Sequence, residues 1–165
     1  MTGSLAIAAL CALAALPLAA ATPGTTVREW RFEVTIDGIG VGEHRYLVTA
    51  DGPTLAVRSE AAFRVRVLML DAYRREQHVD ETYYWNPAVL QRTELINAQT
   101  GVPTPVHVER IGPDTIDARG RSTPATHWRL DTPRNRIELW YSRDGEWLAM
   151  RTTTREGHVL DYRLV

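Results

Sequence analysis

The strict alternation of apolar and polar residues constrains this chain most, and it is clearest in REWRFEVTI, residues 28–36. Successive side chains of a strand point to opposite faces, so a period of two predicts a half-buried strand. Trp30, Phe32, Val34 and Ile36 then share one face. After the N-terminal segment no stretch sustains a helical period, and turn-forming residues separate the alternating runs. The sequence therefore predicts an all-β domain.

The order of the first strands follows from their turns. DGIG at 37–40 and DGP at 51–53 each reverse the chain, which predicts a three-stranded meander. The third run, LAVRSEAAFRVRVLML at 55–70, would extend roughly 50 Å at about 3.3 Å per residue. A strand that long has to bend. We expect one long, curved antiparallel sheet of about ten strands that forms an incomplete, half-open β-barrel.

Further strands are expected at Ala72–Trp85, Leu90–Asn97, Val106–Ile111, Ala125–Leu130 and in two C-terminal hairpins. The segments between them have turn chemistry, including GPD at 112–114 and RGRSTP at 119–124. These stretches are predicted to be loops rather than strand.

The register of the C-terminal hairpins can be predicted from cross-strand pairs. A two-residue loop at Asp144 and Gly145 gives three pairs: Tyr141 with Leu148, Leu139 with Met150, and Glu138 with Arg151. A three-residue loop at 155–157 gives two more: Arg151 with Asp161, and Met150 with Tyr162. Tyr141 and Tyr162 then lie on the apolar face. Trp140 and Trp147 are placed on the charged face, where Arg163 could make a cation–π contact with Trp140.

The first 21 residues are typical of a secretory signal peptide. An apolar run, LAIAALCALAAL at 5–16, precedes Pro17 and the small residues Ala19 to Ala21. We expect cleavage after Ala21, a single domain over 22–165, and a periplasmic or secreted location without a stable membrane span. A retained anchor and a lipoprotein signal are the alternatives. Cys11 is the one cysteine, so the mature chain would have no thiol for a disulfide, a zinc site or a nucleophile.

Charge and motifs exclude several classes of protein. The formal net charge is -1, so no basic field points to a nucleic-acid partner. No glycine-rich phosphate loop is present, and Ser59, Ser122 and Ser142 lack a nucleophile elbow or a histidine at a recognisable spacing. No metal and no cofactor are expected.

One polar cluster could carry chemistry. Glu76, His78 and Asp80 would share one face of a strand, where a carboxylate-flanked imidazole could act as a base or bind a metal. A stable metal site would need a further ligand. The solvated outer face of a strand explains the cluster better, so we assign no catalytic residue.

The apolar face offers a different kind of site. In a half-open barrel it could line a cavity for an acyl chain. The residues expected to line such a cavity are Phe63, Val65, Val67, Leu139, Tyr141, Met150 and Tyr162. A filled core is an equal alternative.

Three stretches carry a resemblance to a known group: WRFEVTIDGIGVGEHRYLV, SEAAFRVRVLMLDAYRREQHVDETYYW and LWYSRDGEWLAMRTTTREGHVLDYRL. Together they resemble a family of exported bacterial domains of unknown function. That family is similar in layout to the LolA and LolB lipoprotein carriers of the periplasm. The resemblance implies a long sheet that curls around an apolar hollow.

Three functions are expected in decreasing order. The first is a non-enzymatic envelope protein that binds a lipid or another hydrophobic small molecule. The second is an interaction module that docks another envelope protein through an edge strand or the face of Trp140 and Trp147. The third is a hydrolase or isomerase that uses Glu76, His78 and Asp80.

Overall fold

A computed structural model describes residues 25–51, 54–63, 84–96, 101–154 and 156–165. A short 3-10 helix covers Pro87–Gln91. The strands are β1 (Thr25–Ile36), β2 (Ile39–Asp51), β3 (Thr54–Phe63), β4 (Glu94–Ile96), β5 (Pro103–Pro105), β6 (His107–Ala118), β7 (Arg121–Asp131), β8 (Arg136–Tyr141), β9 (Trp147–Thr153) and β10 (Val159–Leu164).

Eight of these strands form one antiparallel sheet in the order β3-β2-β1-β10-β9-β8-β7-β6, while β4 and β5 pair separately. The N-terminal meander joins the C-terminal one where β1 pairs with β10, with Val34 opposite Tyr162. β3 and β6 are the two edges, so the sheet is not closed into a barrel. The predicted all-β fold of about ten strands is confirmed.

The sheet curls toward the face that carries Phe32, which we call the inner face. Strands lie about 4.8 Å apart, and β2 is separated from β9 by both β1 and β10. In a flat sheet they would be about 14 Å apart. The ring centroids of Tyr46 on β2 and Trp147 on β9 are nevertheless 5.4 Å apart. Curvature therefore brings distant strands together around one interior.

Residues 84–91, here called the cover segment, pack on the inner face. The Tyr84 ring lies 5.8 Å from that of Trp147, and Val89 is fully buried. The side chain of Asn86 accepts a hydrogen bond from Ala88 N, and Pro87 begins the 3-10 helix. Capping and the fixed φ of proline favour a helical turn here. The strand expected at Leu90–Asn97 is correspondingly reduced to β4.

The predicted breaks in the β6–β7 region are wrong. Gly112 lies inside β6 at a bulge with φ 145°, and β6 pairs continuously with β7 beyond it. The reversal is at Arg119 and Gly120, whose φ values of 52° and 66° fit a tight hairpin turn. Proline is tolerated at Pro113 because β6 is an edge strand.

The tip of this hairpin lies against the outer face of the last strands. The indole Nε1 of Trp140 donates to Asp114 Oδ2 at 2.7 Å. The backbone N–H of Arg119 donates to the carbonyl of Leu164 on β10. His127 stacks on Trp140 with centroids 4.4 Å apart, and the Arg163 guanidinium lies 5.8 Å from its centroid. The expected cation–π contact is confirmed, and Trp140 is only 4% exposed.

Most of the predicted C-terminal register is confirmed. Leu139 lies opposite Met150 and Glu138 opposite Arg151, while Arg151 pairs with Asp161 and Met150 with Tyr162. The loop beyond Thr154 closes through Thr154 N and His158 O, with Gly157 at φ 90°.

The first loop differs from the prediction. Ser142 N donates to Glu146 O, so the loop has three residues, and Gly145 has φ 76°. A register shift between Trp140 and Tyr141 compensates for the extra residue and sets Tyr141 opposite Trp147 rather than Leu148. Trp147 therefore leaves the charged face where it was predicted and lies inside the protein at 0% exposure.

In the part of the chain that the structure describes, no helix has the length and apolarity needed to cross a membrane. The proposed signal peptide, residues 1–21, lies outside that part.

Candidate functional site

The half of the inner face beneath the cover segment is closely packed. Trp147 is at its centre, with the ring of Phe32 4.3 Å away and those of Tyr46 and Tyr84 within 6 Å. Leu139 and Met150, both predicted to line a cavity, are buried in this core. Large side chains from the curled strands and the cover segment thus fill the interior here.

A groove of about 350 Å³ runs beside the cover segment, between it and β7–β8. Its apolar walls include Pro87, Leu90, Trp128 and Tyr141. The Tyr141 hydroxyl donates to the carbonyl of Tyr84 at 2.7 Å. Burial raises the pKa of Tyr141, so the hydroxyl stays protonated and can keep this bond at neutral pH. One predicted lining residue, Tyr141, therefore lies in a groove.

A polar cluster occupies the other half of the inner face, near β2 and β3. His44 Nε2 lies 2.7 Å from Ser59 Oγ, and His44 Nδ1 lies 3.3 Å from the Tyr162 hydroxyl. Tyr46 stacks on the imidazole with centroids 4.2 Å apart, and Phe63 meets it edge-on at 6.2 Å. We call these five residues the His44 centre.

The His44 centre is uncharged at neutral pH. Burial lowers the pKa of His44 to about 4 and raises that of Tyr162 to about 12. None of the described side chains in ring or hydrogen-bond contact with His44 carries a charge. The centre is a group of neutral donors and acceptors on an otherwise apolar face.

The contact between Ser59 and His44 has the spacing of a nucleophile and its base. Two observations weigh against catalysis. An imidazole with a pKa near 4 is a weak proton acceptor, and its Nδ1 faces the hydroxyls of Tyr162 and Tyr46 rather than a carboxylate. The arrangement fits hydrogen bonding to a ligand better than acyl transfer.

The structure divides the predicted site residues into separate groups. Phe63 and Tyr162 meet at the His44 centre, Tyr141 lines the groove, and Leu139 and Met150 belong to the core. Val65, Val67, Glu76, His78 and Asp80 lie outside the described residues. Whether any of these residues contacts a ligand stays a prediction. Within the described ranges no group of three or more histidine, cysteine or acidic residues could hold a metal.

His44 and Ser59 were missed by the sequence analysis, although the alternation contains a signal for both. His44, Tyr46 and Val48 share one face of β2, while Ser59 falls between Val57 and Ala61 on the apolar face of β3. The turn between β2 and β3 places Tyr46 opposite Ser59. A polar residue in an apolar register was the available clue.

Two buried donors lack an acceptor where the cover segment meets the sheet. The indole N–H groups of Trp30 and Trp85 make no hydrogen bond, and the two rings lie 5.9 Å apart. A buried polar group without a partner costs about 1–3 kcal/mol. This contact is therefore weaker than its buried area suggests.

Comparison with known families is decisive at one level. A family model described as a domain of unknown function, DUF6134, matches residues 32–84 and 81–165. The chain belongs to the DUF6134 family. The predicted membership of a family of unknown function is thereby confirmed, while the likeness to the LolA and LolB carriers stays a prediction. No curated protein and no solved structure matches this DUF6134 chain.

Proposed function

We propose that this DUF6134 protein is exported to the cell envelope and binds a hydrophobic ligand, such as a lipid or an acyl chain, without catalysing a reaction. The groove beside the cover segment is the observation that carries the proposal. Its volume of about 350 Å³ falls within the range of small-molecule sites, about 300–1,000 Å³. Trp128 and Tyr141 supply aromatic walls to it.

The cover segment is suited to making room for a longer chain. The unpaired indole N–H groups of Trp30 and Trp85 make its contact with the sheet costly. The 3-10 helix is five residues long, and few backbone hydrogen bonds maintain so short a helix. Displacement of this segment would join the groove to the aromatic interior around Trp147.

Filling the groove tests the proposal. Thr126→Trp places a large side chain at a residue that lines the groove, and Thr123→Trp is its matched control on the same strand, since both threonines are half-buried and only Thr126 contributes to the lining. The binding of a fluorescent fatty-acid probe would be measured with both variants. We expect at least a fivefold weaker affinity for Thr126→Trp and little change for Thr123→Trp. Absence of binding to the unmodified protein, together with native mass spectra free of bound lipid, would rule out a lipid-binding role.

Export is tested separately. Expression of the full chain in a Gram-negative host, followed by fractionation and intact mass measurement, should give a periplasmic product that begins at residue 22. A cytoplasmic product that retains its first 21 residues would contradict this part of the proposal without touching the ligand site.

Docking of another envelope protein is a second candidate in a restricted form. The version that uses the face of Trp140 and Trp147 is not supported, because both indoles are buried. Docking along β3 or β6 stays a prediction, since an edge strand offers backbone groups to a partner. A hydrolase or isomerase built on Glu76, His78 and Asp80 also stays a prediction.

A further inference from the structure

We propose that the His44 centre binds the polar end of an uncharged amphiphile, through a hydroxyl or carbonyl oxygen whose apolar chain lies on the inner face. This inference rests on the proposed function and specifies its ligand class.

Two hydroxyls of the centre have hydrogen-bonding capacity left. A serine hydroxyl has one hydrogen and two lone pairs, and a tyrosine hydroxyl can both donate and accept. Ser59 Oγ makes one side-chain hydrogen bond, to His44 Nε2, and the Tyr162 hydroxyl makes one, to His44 Nδ1. The second of these is long at 3.3 Å. An oxygen placed beside Ser59 and Tyr162 would thus find both a donor and an acceptor.

The centre is open enough to be reached. His44, Ser59 and Phe63 are each half-buried, whereas Trp147 and Leu139 further along the inner face are fully buried. The imidazole already has aromatic neighbours on its face and at its edge, from Tyr46 and Phe63. This combination of apolar walls and a few convergent polar groups is typical of small-molecule sites.

The absence of charge decides the ligand class. A carboxylate removed from water needs a cation or several strong donors, and none of the described side chains in contact with His44 is cationic. His44 itself stays neutral above a pH of about 4, so it offers no positive charge to an anion. A neutral hydroxyl or ester carbonyl avoids this desolvation cost.

The centre and the groove are close enough for one ligand to reach both. Ring centroids step 5.4 Å from Tyr46 to Trp147 and 5.8 Å from Trp147 to Tyr84, which borders the cover segment. This distance is shorter than a long acyl chain. A polar end at His44 and an apolar tail directed to the groove is therefore a consistent placement.

Competition against 1-aminoanthracene, a neutral apolar fluorophore, provides the test. Dodecanol, methyl dodecanoate and dodecanoate would each be titrated at pH 8 against the unmodified chain, Ser59→Ala, Tyr162→Phe and the control Ser122→Ala. Ser122 is exposed on β7 and lies outside both sites. Thermal unfolding followed by circular dichroism verifies that each variant is folded.

We expect dodecanol or its ester to displace the fluorophore at least tenfold better than dodecanoate. Ser59→Ala and Tyr162→Phe should each weaken binding of the neutral ligand at least threefold, with dodecanoate and Ser122→Ala unaffected. A stronger effect on the alcohol than on the ester identifies a hydroxyl ligand, and the reverse identifies a carbonyl. Equal or better binding of dodecanoate would overturn the inference, as would folded variants that keep the full affinity for the neutral ligands. If neither the fluorophore nor any competitor binds, the proposed function itself fails.

Discussion

The two halves of the inner face have the same alternating sequence pattern and differ in what packs on them. Beneath the cover segment, Trp147 and Leu139 are fully buried and form part of the core. Near β2 and β3, His44 and Ser59 are half-buried and hydrogen-bonded to each other. Alternation fixes which face is apolar, and the cover segment decides which part of that face becomes core. The remaining part is available as a binding surface.

The largest effect should come from the core half. Trp147→Ala removes a fully buried indole that contacts Phe32, Tyr46 and Tyr84. Loss of a large buried aromatic typically costs about 3–5 kcal/mol. Urea unfolding should show that loss, whereas Phe63→Ala, at a half-buried position, should cost clearly less. Equal losses at the two positions would erase the distinction between the halves.

Acid should weaken the other half through His44. Burial lowers the pKa of His44 to about 4, compared with 6.5 in the unfolded chain, so the unfolded state binds more protons between these values. Stability therefore falls as the pH drops from 6.5 to 4, by at most about 3 kcal/mol from this residue. Urea unfolding at pH 6.5 and pH 4.5 measures the change.

His44→Gln provides the comparison for that experiment, because glutamine does not titrate and can still hydrogen-bond Ser59. The variant should lose the part of the pH dependence that lies between pH 6.5 and 4. If it keeps the same slope as the unmodified protein, then the acid sensitivity comes from other groups and His44 is not the buried neutral residue described.

Backbone contact also distinguishes the half near β2 and β3. At Gly42 a Cβ atom would lie 2.0 Å from the carbonyl oxygen of Ala62, and φ is 149°. Gly42→Ala should destabilise the protein by about 2 kcal/mol or more, because backbone atoms cannot move aside easily. Gly157→Ala is the matched control, with φ 90° and open space around it, and should cost about 1 kcal/mol from the left-handed conformation alone. Thermal unfolding of both variants would rank them, and the opposite order would show that β2 and β3 do not approach this closely at Gly42.

The sequence predicted the parts of the fold that depend on local chemistry. The face of Trp30 and Phe32 and the pairing of Leu139 with Met150 follow from alternation and cross-strand matching. The position of Trp147 did not follow, because the two-residue loop and the three-residue loop with a compensating register shift give the same pairing further along β8. The shift itself leaves no pattern in the sequence.

The candidate site was predictable only in part, for a related reason. Phe63 and Tyr162 were identified as lining residues, yet their neighbour His44 was not, because its role depends on contacts between β2, β3 and β10. The cover segment is held by tertiary contacts such as Tyr141 to Tyr84. No local period of residues 84–91 encodes such a contact.

The smallest effect should come from the outer face, which sets a baseline for both inner halves. Arg151 makes two hydrogen bonds to Asp161, at 2.9 and 3.2 Å, and its side chain is 43% exposed. Exposed ion pairs contribute under about 1 kcal/mol because solvent and salt screen them. Arg151→Gln should therefore change the unfolding free energy by less than that amount, and the change should shrink further in 0.5 M NaCl. A loss as large as that of Trp147→Ala would mean that the charged ladder, and not the aromatic interior, holds β9 and β10 together.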